Sequence, residues 1–123
     1  MSFINKKTVV LGASENPNRY SFLAVNKLAS AGHSIVAIGK KEGTINDIPI
    51  FTGMPEVQDV DTVTLYLNPI HQKAFYHYIL SLHPRRIIFN PGTENPELAS
   101  LAAKNNIRGL EACTLVLLST GQY

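Results

Sequence analysis

The chain has 123 residues, of which 45% are apolar and 16% charged, and its 11 basic and 9 acidic side chains give a net charge of +2. A chain of this length buries roughly two thirds of its unfolded surface in one core, so we predict a single domain over residues 1–123. The apolar content excludes a disordered chain, no segment approaches the roughly 20 apolar residues of a membrane span, and the small charge argues against nucleic acid or membrane partners.

The compartment follows from two further features. The first residues lack the apolar stretch of a secretory signal, and the only cysteine, Cys113, has no second cysteine with which to form an internal disulfide. Both features fit a reducing environment, so we expect a cytoplasmic protein.

The first third of the chain predicts a strand, a helix and a strand. Residues 8–11 form a short β-branched apolar run that stops at Gly12, which is typical of a strand buried on both faces. Apolar residues at helical spacing then run from Phe22 to Gly32, and residues 35–38 predict a second strand. This βαβ unit implies parallel strands joined by a right-handed crossover.

Residues 39–61 have no clear periodicity and predict at most a short strand at 48–51 or a brief helix near 55–57. The alternation then resumes with strands at 62–67, 86–89 and 107–110. Asn95 and Pro96 predict the start of a helix after the fourth main strand, and residues 114–119 predict a last helical turn. Between residues 70 and 82 we predict one helix whose buried face carries Ile70, Ala74, Phe75, Tyr78, Ile79 and Leu82.

Strands and helices that alternate in this way predict an α/β fold, a three-layer doubly wound parallel sheet of about five strands. In such a sheet, ligands bind at the carboxyl ends of the strands, where neighbouring connections leave toward opposite faces. We therefore expect a ligand site among four loops, at residues 12–20, 39–44, 68–70 and 90–95.

The first of these loops has the features of a phosphate site. Gly12 permits a sharp turn, Ala13 and Ser14 are small, and the following helix presents free N–H groups and its positive dipole end. The Arg19 guanidinium and the hydroxyls of Ser14 and Ser21 would add hydrogen bonds to phosphate oxygens. The alternative is a tight connection beside a solvated arginine.

The second loop narrows the class of ligand. The dinucleotide fingerprint is absent, because Ser14 and Pro17 stand where it requires glycine. Where NAD-binding chains place a carboxylate, this chain has Gly39, Lys40 and Lys41. Two cations there would attract a phosphate on the ribose, which points to an NADP-like or coenzyme-A-like ligand, although a solvated lysine pair is the alternative.

Prolines after the next two strands predict the opposite wall of the groove. Asn68 and Pro69 interrupt the backbone hydrogen bonding, which would leave carbonyls and an amide side chain for an adenine ring or a pantetheine amide. Pro91 and Gly92 stand at the same place after the following strand. Ordinary turns are the alternative at both positions.

Groups with catalytic potential are sparse. His71 is the only histidine near the predicted ligand loops, and without a carboxylate at recognisable spacing we interpret it as a surface residue of a first helical turn. Cys113 follows the last strand, where a nucleophile would face the groove, but no partner histidine is evident. No Cys/His cluster has metal-ligand spacing. The sequence therefore favours binding over catalysis.

Residues 9–14 (VVLGAS) and 16–21 (NPNRYS) together resemble the start of the small stand-alone CoA-binding proteins. These are Rossmann-like domains similar to the CoA-binding domain of the succinyl-CoA synthetase alpha subunit. The resemblance runs from about Lys7 to Cys113. It implies a diphosphate lined by the first loop, a basic residue at Lys41 and a nucleotide flanked by Asn68 and Pro69. The synthetase's phosphorylated histidine belongs to another domain, so the resemblance implies binding without ligase activity.

Together these observations predict a cofactor-binding set of Gly12, Ala13, Ser14, Asn18, Arg19, Ser21, Gly39, Lys40, Lys41, Leu67, Asn68, Pro69, Pro91 and Gly92. The leading hypothesis is non-catalytic binding of coenzyme A or an acyl-CoA. One alternative is an NADP-type oxidoreductase fragment or a small acyl-transfer enzyme that uses Cys113. Another is an interaction module that dimerises through residues 115–118 and a tyrosine-rich helix face; a homodimer is compatible with every reading.

Overall fold

The computed structural model describes residues 4–123, which form a seven-stranded sheet between two layers of helices. In chain order the strands are β1 (Thr8–Leu11), β2 (Ile35–Ile38), β3 (Gly43–Ile45), β4 (Ile48–Phe51), β5 (Thr62–Leu65), β6 (Arg86–Phe89) and β7 (Arg108–Glu111). The helices are α1 (Tyr20–Ser30), α2 (Pro69–Gln72), α3 (Tyr76–Ser81), α4 (Pro96–Lys104) and α5 (Thr114–Ser119). No helix within the described range is long and apolar enough to cross a membrane.

The strands lie in the order β3-β4-β2-β1-β5-β6-β7, and all neighbours are parallel except β3 and β4. Alternate residues of β1 face opposite layers. Val9 and Leu11 belong to the core that includes Leu98 of α4, whereas Val10 belongs to the core that includes Leu28 of α1. Both β1 and β5 are buried along their whole length, as expected of central strands in a parallel sheet with helices on both faces, although β5 carries two threonines. The predicted three-layer α/β architecture is confirmed.

The expected number of about five strands is wrong, because β3 and β4 form a hairpin at one edge of the sheet. Ile45 pairs with Ile48, so the turn contains only Asn46 and Asp47. Both have positive φ, at 45° and 69°, as a two-residue type I′ turn requires. Because β3 and β4 are short, the two turn residues indicate this hairpin in the sequence more clearly than the strand residues do. No helix forms near residues 55–57.

The helix predicted over residues 70–82 is also interrupted. It divides into α2, a 3₁₀ turn at Lys73–Phe75, and α3. Ile70 and Ala74 are exposed, whereas Gln72 is fully buried. Tyr78 and Ile79 are buried as predicted. A buried amide therefore orients α2, and the apolar periodicity applies only to α3.

A polar and aromatic cluster closes the sheet at the amino ends of its central strands. The Tyr123 hydroxyl shares a 2.6 Å hydrogen bond with the Thr8 hydroxyl, and the Arg86 guanidinium lies 4.3 Å from the centroid of the Tyr123 ring. The His33 ring lies 5.0 Å from the same ring, and its Nδ1 accepts a 3.0 Å hydrogen bond from the Lys6 amide. This acceptor role requires a neutral imidazole at Nδ1.

We expect His33 to make folding stability depend on pH. Burial, followed by the positive charges of Lys6 and Arg86, lowers the pKa of His33 from its usual 6.5, and the opposing effect of Asp61 is smaller. Because the unfolded chain then binds this proton more readily, the contribution is present above the unfolded pKa and is lost as pH falls through the folded pKa.

Urea unfolding at about pH 7 and about pH 5 measures this dependence. The loss of stability on acidification should be smaller in His33→Asn than in the native protein. His77→Asn, at an exposed position of α3, is the control and should retain the native loss. An unchanged loss in His33→Asn would show that other groups set the acid sensitivity.

Candidate functional site

The strand order creates a crevice at the carboxyl ends of β1 and β5. The connection after β1 leads to α1 on one face of the sheet, and the connection after β5 leads to α2 and α3 on the other. Neighbouring loops that separate in this way leave space between them, the usual ligand position in such sheets. A cleft of about 960 Å³ lies there, and all four predicted loops contribute to its lining.

All of the predicted cofactor-binding residues except Gly39 and Pro69 line this cleft. They are Gly12, Ala13, Ser14, Asn18, Arg19, Ser21, Lys40, Lys41, Leu67, Asn68, Pro91 and Gly92. The lining also includes residues outside that set, namely Glu15, Asn16, Tyr20, Tyr66, His71 and Thr93. The first three lie within the predicted first loop and Thr93 lies within the predicted loop at residues 90–95, so loop continuity was a signal for all four. His71 was predicted to lie near these loops, whereas Tyr66 had no such signal.

The first loop is anchored to the end of β2. Gly12 has a φ of +102°, and a Cβ at this position would lie 3.0 Å from the backbone carbonyl carbon of Tyr66. Only glycine meets both conditions without strain. The amides of Gly12 and Ala13 both donate to the Ile38 carbonyl, at 2.8 and 2.9 Å. These two amides therefore bond within the protein. Only the backbone amides that follow them in the loop remain available to a ligand.

Gly39 packs against the backbone of the first loop and does not line the cleft. A Cβ on Gly39 would lie 2.2 Å from the Ala13 carbonyl oxygen, so the first loop crosses directly over the end of β2. Lys40 and Lys41 follow at once and are exposed at the edge of the cleft. A side chain at position 39 would push the two loops apart.

The rest of the first loop is folded on itself. The Ser14 hydroxyl accepts a 3.1 Å hydrogen bond from the Asn16 amide, and Asn16 Oδ1 accepts a 3.0 Å hydrogen bond from the Asn18 amide. The Asn16 carbonyl accepts from the Arg19 amide at 3.0 Å. Short polar side chains of this kind close turns through local backbone bonds. The loop is thus ordered up to the first turn of α1.

Within the described residues 4–123, no side chain caps the N-terminus of α1. Its N-cap residue is Arg19, which makes no capping hydrogen bond, and its first turn contains no acidic residue. Across residues 4–123, no protein acceptor pairs with the amides of Ser14, Tyr20 or Ser21, all three of which line the cleft. Free amides and the positive end of a helix dipole are the groups with which helix N-termini bind anions.

Three cations, Arg19, Lys40 and Lys41, share the cleft with these amides. The one ion pair in the described part of the chain joins Arg85 to Asp61, so carboxylates do not pair with the three cations. Their combined charge lies at a single edge of the sheet and favours a ligand with more than one phosphate group.

A buried amide network holds the opposite wall. Gln72 Nε2 donates to the carbonyls of Leu67 and Thr93, at 2.8 Å each, and Gln72 Oε1 accepts from Asn95 Nδ2 at 2.9 Å. Asn95 Oδ1 in turn accepts from the Leu98 amide, which confirms the predicted N-cap of α4. The loops after β5 and β6 are therefore joined through one side chain.

Asn90 makes a second connection beneath the same wall. Its Nδ2 donates to Thr64 Oγ1 at 2.7 Å and to the Leu65 carbonyl at 2.9 Å, and its Oδ1 accepts from the Thr114 amide at 2.9 Å. The side chain is 2% exposed. Asn90 thus links the end of β6 to β5 and to the start of α5.

Asn68 and Pro69 differ from their predicted role because they begin α2. Asn68 Oδ1 accepts a 3.0 Å hydrogen bond from the His71 amide, and Pro69 occupies the first helical position. The carbonyls of Leu67 and Asn68 accept from the side chain and the backbone amide of Gln72. These carbonyls, expected to be free for a ligand, are already engaged, while Asn68 itself lines the cleft.

Sequence comparison assigns the chain to a family. The family model described as the CoA binding domain matches residues 6–119. The chain belongs to the CoA binding domain family. This match covers the four loops of the cleft and confirms the predicted resemblance.

Solved structures agree with this CoA-binding-domain fold. The crystal structure of an uncharacterized protein is 47% identical, with a TM-score of 0.95 over 98% of this chain and 100% of its own. A hypothetical protein from Pyrococcus horikoshii OT3 is 16% identical, with a TM-score of 0.85 over 94% of this chain and 83% of its own. A conserved hypothetical protein from Pyrococcus furiosus is 20% identical, with a TM-score of 0.78 over 90% of this chain and 97% of its own. No curated protein matches the chain.

Two side chains with catalytic potential, Tyr66 and His71, line the cleft of this CoA-binding domain. The Tyr66 hydroxyl is buried near Thr64 and Thr114 without hydrogen-bonding to either, and burial raises the pKa of Tyr66 well above its usual 10. His71 is exposed at the cleft, and half-buried Cys113 lies outside its lining. In residues 4–123 no group of three His, Cys, Asp or Glu side chains is placed to hold a metal ion.

Proposed function

We propose that this protein binds coenzyme A or an acyl-CoA in the cleft and performs no chemistry on it. The diphosphate lies at the N-terminus of α1, and the phosphate on the ribose lies at Lys40 and Lys41. One observation carries the proposal: the uncapped N-terminus of α1 and three unpaired cations share a cleft in a chain of the CoA binding domain family. Residues 1–123 act as one binding domain in the cytoplasm.

The ligand's two anionic parts fit two parts of the cleft. Coenzyme A carries a diphosphate and a separate phosphate on its ribose, while the cleft combines free amides with Arg19 on one side and the lysine pair on the other. Backbone amides and an arginine suit a diphosphate, because several short hydrogen bonds then share its charge. Lysine ammonium groups, which are compact point charges, suit the single phosphate on the ribose. A cleft of about 960 Å³ is large enough for a nucleotide.

An NMR titration with coenzyme A tests where the ligand binds. The amide signals of Ser14, Tyr20 and Ser21 should shift, because these are the free donors of the cleft. A second cavity, of about 570 Å³, lies at the amino ends of β5 and β6 between residues 54–60 and 78–83, and serves as an internal control. Shifts confined to that cavity, or no shifts at all, would refute the proposal.

The lysine pair should discriminate between coenzyme A and dephospho-CoA. Lys41→Ala is expected to weaken coenzyme A binding by about 1 kcal/mol, roughly fivefold, because one charge-assisted contact to the ribose phosphate is lost. Affinity for dephospho-CoA, which lacks that phosphate, should change less than about twofold. Calorimetry on both ligands measures the difference. Lys104→Ala, at the exposed end of α4, is the control; an equal loss for both ligands would assign Lys41 another role.

A further inference from the structure

An acidic side chain, Glu15, lines the cleft although the predicted ligand is an anion. Its carboxylate reaches across to the edge strand β3, where Oε2 accepts a 3.0 Å hydrogen bond from the Thr44 amide. The side chain lies flat against Gly43, since a Cβ on that glycine would be 2.3 Å from Glu15 Cδ. Glu15 therefore holds the first loop against the start of β3.

This contact is the second of two between the first loop and the segment after β2. The Ala13 carbonyl packs on Gly39, and Glu15 packs on Gly43 and bonds to Thr44. Lys40, Lys41 and Glu42 form the connection between the two contact points. Both ends of the lysine-bearing segment are thus fixed by the loop that presents the free amides.

The charge of Glu15 gives no other account of its position. A carboxylate beside an anion site opposes anion binding. Within residues 4–123 no ion pair joins Glu15 to Lys40 or Lys41, so it does not hold the lysines by charge. The hydrogen bond to the Thr44 amide is its one hydrogen bond to the rest of the described chain.

We propose that Glu15 is a positioning residue. By fixing the Lys40–Lys41 segment against the first loop, it sets the preference of the site for a ligand that carries a phosphate on its ribose. The inference rests on the proposed function. Glu15 touches the backbone of β3, and its effect on the ligand passes through the lysines.

Three variants separate the position of Glu15 from its charge. Glu15→Ala removes both the contact and the charge. Glu15→Gln keeps an acceptor for the Thr44 amide and removes the charge. Gly43→Ala keeps the charge but displaces the side chain, and alanine is tolerated there because the obstruction is the end of a flexible side chain. Glu42→Ala removes an exposed acidic charge from the same segment and is the matched control.

Calorimetry with coenzyme A and dephospho-CoA gives one readout, and amide hydrogen exchange of residues 40–44 in the ligand-free protein gives another. We expect Glu15→Ala and Gly43→Ala to reduce the preference for coenzyme A roughly fivefold and to speed exchange, the size of effect that one hydrogen bond gives. Glu15→Gln should keep both the native preference for coenzyme A and the native rate of amide exchange. Glu42→Ala should leave both unchanged.

Other outcomes overturn the inference in distinct ways. If Glu15→Ala and Glu15→Gln strengthen binding of both ligands equally, Glu15 acts only as a repelling charge. If Gly43→Ala keeps the native preference, the contact with β3 does not position the lysines. If the native protein binds neither ligand, the proposed function itself fails, whereas the exchange data still report whether Glu15 holds the segment.

Discussion

Gln72→Leu is expected to lower the free energy of unfolding by about 3 kcal/mol. The side chain is fully buried and supplies the hydrogen bonds of two carbonyls, those of Leu67 and Thr93, and of Asn95 Nδ2. Leucine has a similar volume, so no large cavity forms, but each carbonyl loses its partner. A buried acceptor without a partner costs about 1 to 3 kcal/mol. Urea unfolding measures the change.

Two comparisons make this result specific to the amide network. Gln72→Glu has the same shape but lacks the two N–H donors, so it should destabilise at least as much as leucine at neutral pH. Gln58→Leu, at an exposed position, should change stability by less than about 0.5 kcal/mol. A Gln72→Leu protein as stable as the native one would show that the loops after β5 and β6 do not depend on this side chain.

Tyr20→Asp should strongly weaken coenzyme A binding while leaving the fold intact. Tyr20 is the first residue of α1, its side chain is 71% exposed, and it lines the cleft. An aspartate in the first turn stabilises the helix, because its negative charge interacts favourably with the partial positive charge at the helix N-terminus. The same charge repels a diphosphate at that end, and we expect a loss of about 2 kcal/mol, roughly thirtyfold in affinity.

Tyr20→Asn is the matched control, because it removes the same ring without adding a charge. We expect its affinity for coenzyme A to stay close to the native value and its unfolding midpoint to match that of Tyr20→Asp within a few degrees. Equal affinities for the Asp and Asn variants would mean that the diphosphate does not bind at the N-terminus of α1.

The central strands and the first loop were predictable because their signals are local. β1 is a short run of β-branched and apolar residues, and it ends directly before Gly12. The N-cap of α4 followed from Asn95 and Pro96 in the same way. Each of these features depends on residues that are close together in the sequence, where propensity and periodicity carry the information.

The features that were missed depend on distant partners. The buried position of Gln72 follows from a bond to the Thr93 carbonyl, 21 residues away, and apolar periodicity placed Ile70 inward instead. Glu15 acquires its position from the Thr44 amide, 29 residues away. A polar side chain shows no such partner in the sequence, because backbone groups are the same at every residue. The hairpin of β3 and β4 was a different case: the short strand considered at residues 48–51 is present as β4, and β3 was missed although the Asn46–Asp47 turn was a readable signal.

Calorimetric titration of the native protein with coenzyme A and with dephospho-CoA tests the central claim most directly. We predict that both ligands bind, since both carry the diphosphate, and that coenzyme A binds roughly tenfold more tightly because two lysines contact its ribose phosphate. Equal affinities would contradict the role of Lys40 and Lys41. Binding of neither ligand would contradict the proposed function.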